Sequence, residues 1–140
     1  MSNIFNDETS KSAVQIIRET MTVSLDEGVP VVYFATNRGK GSGGQSMAVA
    51  DFRDYVSTLE YFADNGIQSN SPEATSPADM VRQTISVDNG VISFRIKSGK
   101  GVKPAKVSTE EFSEAVELLA STVEAVQQAA SKLAASPSDE

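Results

Sequence analysis

Polar and apolar residues alternate along short stretches of this chain and then fall into a helical rhythm, and the change of period happens twice. In VISFRIK, residues 91–97, Ile92, Phe94 and Ile96 lie to one side while Val91, Ser93, Arg95 and Lys97 lie to the other, as in a strand with one buried face. In an earlier copy Met21, Val23 and Leu25 face one way and Arg18, Thr20, Thr22 and Ser24 the other, so the first strand is expected to include Arg18. Asp26-Glu27-Gly28 and Asp88-Asn89-Gly90 supply hairpin turns, where Gly and Asn provide positive φ. A third strand, over residues 46–49 and again over 105–107, leads into a helix, which in the first copy opens at Asp51. Phe52, Tyr55, Val56, Leu59 and Phe62 form one apolar stripe, and Phe112, Ala115, Val116, Leu119 and Val123 the other. Ser108 and Glu111 have the spacing of a capping box, and the second helix is expected to reach about residue 134.

These parallels extend to the residues themselves. IIRETMTV, residues 16–23, matches MVRQTISV, residues 80–87, and VVYFATNRGKG, residues 31–41, matches VISFRIKSGKG, residues 91–101. The chain is therefore read as a duplicated unit. Repeat one spans 10–66, a serine- and proline-rich linker 67–78, and repeat two 79–134, with disordered tails expected at 1–9 and 135–140. Each unit is an antiparallel sheet followed by a helix, too small to close a core alone. The expected fold class is α+β, with the two repeats packed as an intramolecular pseudo-dimer.

Composition narrows the chemistry. The 140 residues contain no cysteine and no histidine, so thiolate catalysis, disulfides, cysteine-bound zinc and the commonest general base are all excluded. No residue set pairs a nucleophile with a base, and we expect a non-enzyme without metal or cofactor. No stretch approaches the length of a membrane span, and MSNIFNDETS lacks the form of a secretory signal, which makes a cytoplasmic setting the expectation, at the nucleoid or in the nucleus according to host. The net charge of −7 opposes a partner held by phosphate neutralisation alone, yet the charges are segregated. Arg82, Arg95, Lys97, Lys100, Lys103 and Lys106 fall in one segment with a single acid, Asp88, whereas acids crowd the two helices. The run GKGSGG, Gly39 to Gly44, formally fits a dinucleotide fingerprint, but a strand follows it where that site needs a helix.

The stretch SMAVADFRDYVSTLEYFADNG, in which an apolar strand runs straight into a helix opening with Phe52, Arg53, Asp54 and Tyr55, resembles the end of a PUR repeat of the Pur-alpha family. EEFSEAVELL in the second unit keeps the apolar spacing without the Arg-Asp pair. The resemblance implies a Whirly-like fold that binds single-stranded DNA or RNA on its sheet face, with a preference for purine-rich sequence. Arg95 and Lys97 would then meet phosphates, continued by Lys100 and Lys103, with Arg38 and Lys40 as the weaker counterparts in repeat one. Tyr33 is outward by the alternation and is either a stacking platform or a rim residue covered by the partner helix. Asn37 is the outward amide of the same strand. Arg18 and Arg82 are either further contacts or ion pairs with a helix acid. The alternative reading is an acidic protein-interaction or dimerisation module that has lost nucleic-acid binding and associates through its helices, with a partner protein or as a homo-oligomer.

Overall fold

A computed structural model describes residues 12–37, 43–70, 73–97 and 102–135. The elements run α1 (Ala13–Thr20), β1 (Thr22–Asp26), β2 (Val29–Ala35), β3 (Gly44–Ala48), α2 (Val49–Asn65), α3 (Pro77–Thr84), β4 (Ser86–Asp88), β5 (Val91–Phe94), β6 (Ala105–Ser108) and α4 (Phe112–Ala135). The class is mixed α+β, with two three-stranded antiparallel sheets ordered β1-β2-β3 and β4-β5-β6. The order helix, three strands, helix occurs twice.

The short helices correct the expected first strands. Arg18 and Thr20 belong to α1, and Arg82 and Thr84 to α3, because a cap precedes each segment. Ser12 accepts from the Gln15 N–H at 3.2 Å while the Gln15 side chain accepts from the Ser12 N–H at 3.0 Å, a complete capping box. Ser76 accepts from the Asp79 N–H at 3.1 Å, and Pro77 stands where its fixed φ and missing N–H favour a helix start. Helix α3 thus begins inside the stretch read as linker. Likewise α2 opens at Val49, two residues before Asp51, and α4 continues to Ala135.

One joint recurs in both halves. Thr20 Oγ1 donates to the Ile16 carbonyl at 2.7 Å and accepts from the Ala35 N–H at 2.8 Å. Thr84 Oγ1 donates to the Met80 carbonyl at 2.8 Å and accepts from the Arg95 N–H at 2.9 Å. A single hydroxyl therefore ends each short helix and stops each second strand. Both hairpins turn through two residues of positive φ, Glu27 and Gly28 at 53° and 83°, Asn89 and Gly90 at 52° and 76°, as a type I′ turn requires. The first hairpin pairs over five rungs and the second over three.

The two halves share their packing. Helix α1 rests on β2 and on α4, α3 rests on β5 and on α2, and the long helices lie against each other. The longer helix, α4 at 24 residues against 17 for α2, also covers β1 and β2, the longer hairpin of the other half. Between them lies one core cluster drawn from both halves. At its centre Tyr55 is 6.0 Å from Phe34, 6.2 Å from Phe52 and 6.3 Å from Phe94, ring centre to ring centre.

Candidate nucleic-acid interface

Alternation decides which side chains leave the core. On the second sheet Ile92, Phe94, Ala105 and Val107 point inward and are buried, which sends Ser93 and Lys106 to the opposite face. Those two residues are partners in register. Just past the end of β5, Arg95 and Lys97 are exposed on either side of buried Ile96. The main chain of Arg95 is held by Thr84, so its side chain projects from a fixed point. Lys103 is exposed ahead of β6. Among the described residues, no carboxylate forms an ion pair with Arg95, Lys97, Lys103 or Lys106. Lys106 was not among the residues expected at the site, although its place between the apolar Ala105 and Val107 would have put it there.

The first sheet presents a different surface. Its outward positions Thr22, Ser24, Tyr33 and Ser46 are exposed and uncharged, and Asp26, at the hairpin end of the same face, is an exposed acid. Tyr33 is 40 % exposed, and its ring leans across the neighbouring strand: a Cβ on Gly44 would lie 3.1 Å from Tyr33 Cε1 and Oη. The ring thus leans on its own sheet at Gly44 and stays exposed, which, of the two expectations for it, favours the open ring over the helix-covered one.

Asn37 joins the two sheets. Its Oδ1 accepts from Thr36 Oγ1 at 2.8 Å and from the Lys106 N–H at 2.9 Å, which clips the loop after β2 to the free edge of β6. Gly43, at φ 69°, makes room for this, because any Cβ there would overlap the Asn37 amide. The amide oxygen is therefore committed to a joint between the halves, at the same strand that carries Lys106.

Arg18 and Arg82 stand apart from the strands. Arg82 Nη1 donates to Asp79 Oδ1 at 2.7 Å, three residues back on α3, so it is paired with a helix acid. The hydrogen bond from Thr75, with a further contribution from the Arg82 charge, holds the Asp79 carboxyl below its usual range against its partial desolvation. Arg18 is exposed on α1 and shares a surface hollow with Glu114 and Glu117 of α4. Arg38, Lys40 and Lys100, with most of the glycine-rich loop, lie outside the described residues.

The structure thus brings Arg95, Lys97, Lys103 and Lys106 to one half, Tyr33 to the other and Asn37 between them, and leaves Arg18 and Arg82 on the helices. Among the described residues no acidic cluster is arranged to hold a metal ion, and no helix is long and apolar enough to cross a membrane. Comparison with family models, curated proteins and solved structures finds no match for this chain.

Proposed function

We propose that this chain binds single-stranded DNA or RNA on the outward faces of its two sheets, as a pair of PUR-type repeats packed into a Whirly-like pseudo-dimer. The observation that carries the reading is the cationic group at the second sheet, Lys106 on β6 with Arg95 and Lys97 just past β5, none of which has a carboxylate partner among the described residues. Single strands are held by such a basic surface tracking phosphates, together with flat groups on which bases stack. Tyr33 is the exposed ring available on the companion sheet. The repeated Thr20 and Thr84 joints support descent of both halves from one unit, and the segregation of charge lets a protein of net charge −7 present a locally positive face.

The test is a salt titration of binding to labelled purine-rich and pyrimidine-rich single strands. Replacing Arg95 and Lys97 together by Ala leaves Ile96 and the strand cores in place, so the fold survives. Because each neutralised single-strand phosphate contributes about 0.7 to the slope of log affinity against log salt, the double variant should flatten that slope by about one unit. Equal slopes would move the site elsewhere. No binding by the unaltered protein at low salt would overturn the proposal in favour of an acidic interaction module.

A further inference from the structure

Each short helix lays an arginine against the long helix of the other half, and the two hollows so formed are not alike. In one, Arg18 is faced by Glu114, Glu117 and Ser121 of α4. In the other, of about 380 Å³, Arg82 is faced by Asp54, Ser57 and Tyr61 of α2, with Asn70 at the rim. The correspondence is residue for residue, since Ser12 and Ser76 cap the two short helices and Phe52 and Phe112 begin the two buried stripes. Where the Arg18 hollow is lined by a second carboxylate, Glu117, the Arg82 hollow is lined by Ser57, and where Ser121 stands Tyr61 takes its place.

Arg82 has also acquired support from behind. Asp79 holds Nη1 at 2.7 Å and is itself held by the Thr75 hydroxyl at 2.8 Å, whereas the corresponding Gln15 is spent on its own helix cap. The Asn70 N–H donates to the Arg82 carbonyl at 2.9 Å, which fixes the rim. Tyr61 is 58 % exposed, packed edge-on against Phe62 at 5.6 Å. Asp54, Ser57 and Tyr61 share one stripe of α2 by their spacing. The hollow therefore combines an anchored guanidinium, a solvent-facing carboxylate and an open ring.

A planar heterocycle engages both charged groups bidentately when it shows two neighbouring acceptors along one edge and two neighbouring N–H donors along the next. Guanine does so, with O6 and N7 as acceptors for an arginine fork and N1–H and N2–H₂ as donors to a carboxylate. Adenine places a donor, its 6-amino group, where the arginine needs an acceptor, and cytosine has a single donor group and a smaller face. We infer that the hollow between α2 and α3 binds a guanine base, stacked on Tyr61, with Arg82 reading O6 and N7 and Asp54 accepting from N1–H and N2–H₂. The site is separate from the outward sheet faces and does not depend on them.

The experiment titrates guanosine, adenosine and cytidine monophosphates into the full chain, and in parallel a ten-residue deoxythymidine strand with and without one central guanine, following tyrosine fluorescence and NMR shifts. Guanosine monophosphate should bind at least tenfold more tightly than the other two nucleotides. Asp54→Ala and Tyr61→Ala should each weaken it roughly tenfold, the loss typical of a removed bidentate pair or stacked base. Arg18→Ala, in the companion hollow, should leave it unchanged. A guanine effect seen only within the strand, and abolished by the same two substitutions, supports a base read in its chain; nucleotide binding without any strand binding supports the hollow while removing the sheet-face reading. Equal binding of the three nucleotides, insensitivity to Tyr61→Ala, or no guanine effect in either series would overturn the inference.

Discussion

Tyr55 is the residue whose chemistry fits its surroundings least. It is fully buried among Phe34, Phe52 and Phe94, and its hydroxyl has no hydrogen-bond partner among the described residues. Burial of the phenol raises its ionisation well above the usual value, since the phenolate would lose its hydration there. Leaving such a group unpaired costs about 1–3 kcal/mol, so Tyr55→Phe should stabilise the protein by about 1 kcal/mol, read as a higher urea midpoint at unchanged slope. The sign of the pH dependence follows from the raised ionisation. Above about pH 10 the unfolded tyrosine loses its proton while the folded one keeps it, so the unaltered protein loses stability that the Phe variant retains. The gap between the two should widen with alkalinity; a Phe variant less stable than the unaltered protein at neutral pH would mean that the hydroxyl is hydrogen-bonded, and a gap that does not change with pH would mean that the phenol ionises in the folded protein. Tyr33 shows the opposite situation, a polar aromatic on an open face whose ring fills the space that Gly44 leaves.

Among the elements, α1 is tied to the other half through Glu111, the residue just before α4. The Ser108 and Glu111 spacing promised a capping box on α4, and half of it forms: the Glu111 N–H donates to Ser108 Oγ at 3.2 Å. The Glu111 carboxylate does not complete it. Its Oε1 instead accepts from the Ala13 N–H at 3.0 Å, at the start of α1, where it satisfies an otherwise open donor and lies at the positive end of that helix. Loss of a capping acceptor costs about 0.5–2 kcal/mol, so Glu111→Ala should destabilise the protein by about 1 kcal/mol and speed hydrogen exchange at the amides of residues 13–17. Glu111→Gln keeps an acceptor and should lose much less. If both substitutions disturbed α4 and spared α1, the cross-connection would carry no weight.

For the molecule as a whole, the shared core sets the unit of stability. Val32, Phe34 and Tyr55 of the first half and Ile92, Phe94, Val107 and Leu119 of the second belong to one buried cluster, and α4 roofs the first hairpin. Residues 1–70 produced alone would expose the apolar stripe of α2 and the inner face of the first sheet. Such a fragment should self-associate or remain poorly folded, as sedimentation and circular dichroism would show. A monomeric first half that unfolds cooperatively would mean each half closes its own core. The Asn37 clip on β6 and the Glu111 clip on α1 add directional contacts between the halves, which hydrophobic burial alone does not supply.

The sequence by itself determined the elements whose signal is local. Period-two alternation placed the faces of β2 and β5, Asn-Gly and Glu-Gly located the two hairpins, and the 3.6-residue stripes located α2 and α4, because each pattern is written in neighbouring residues. The short helices are not read from the sequence: their signals, the Ser12 and Gln15 box and Ser76 followed by Pro77, are outweighed by the alternation of residues 20–25, which extends back over Arg18 as strand. Only the tertiary structure decided that Asn37 is drawn into a joint with β6 and that Glu111 caps a helix nearly a hundred residues away. Each of these is a contact between segments far apart in the chain, and its partner is chosen by the packing of two halves around one core, which no local pattern encodes.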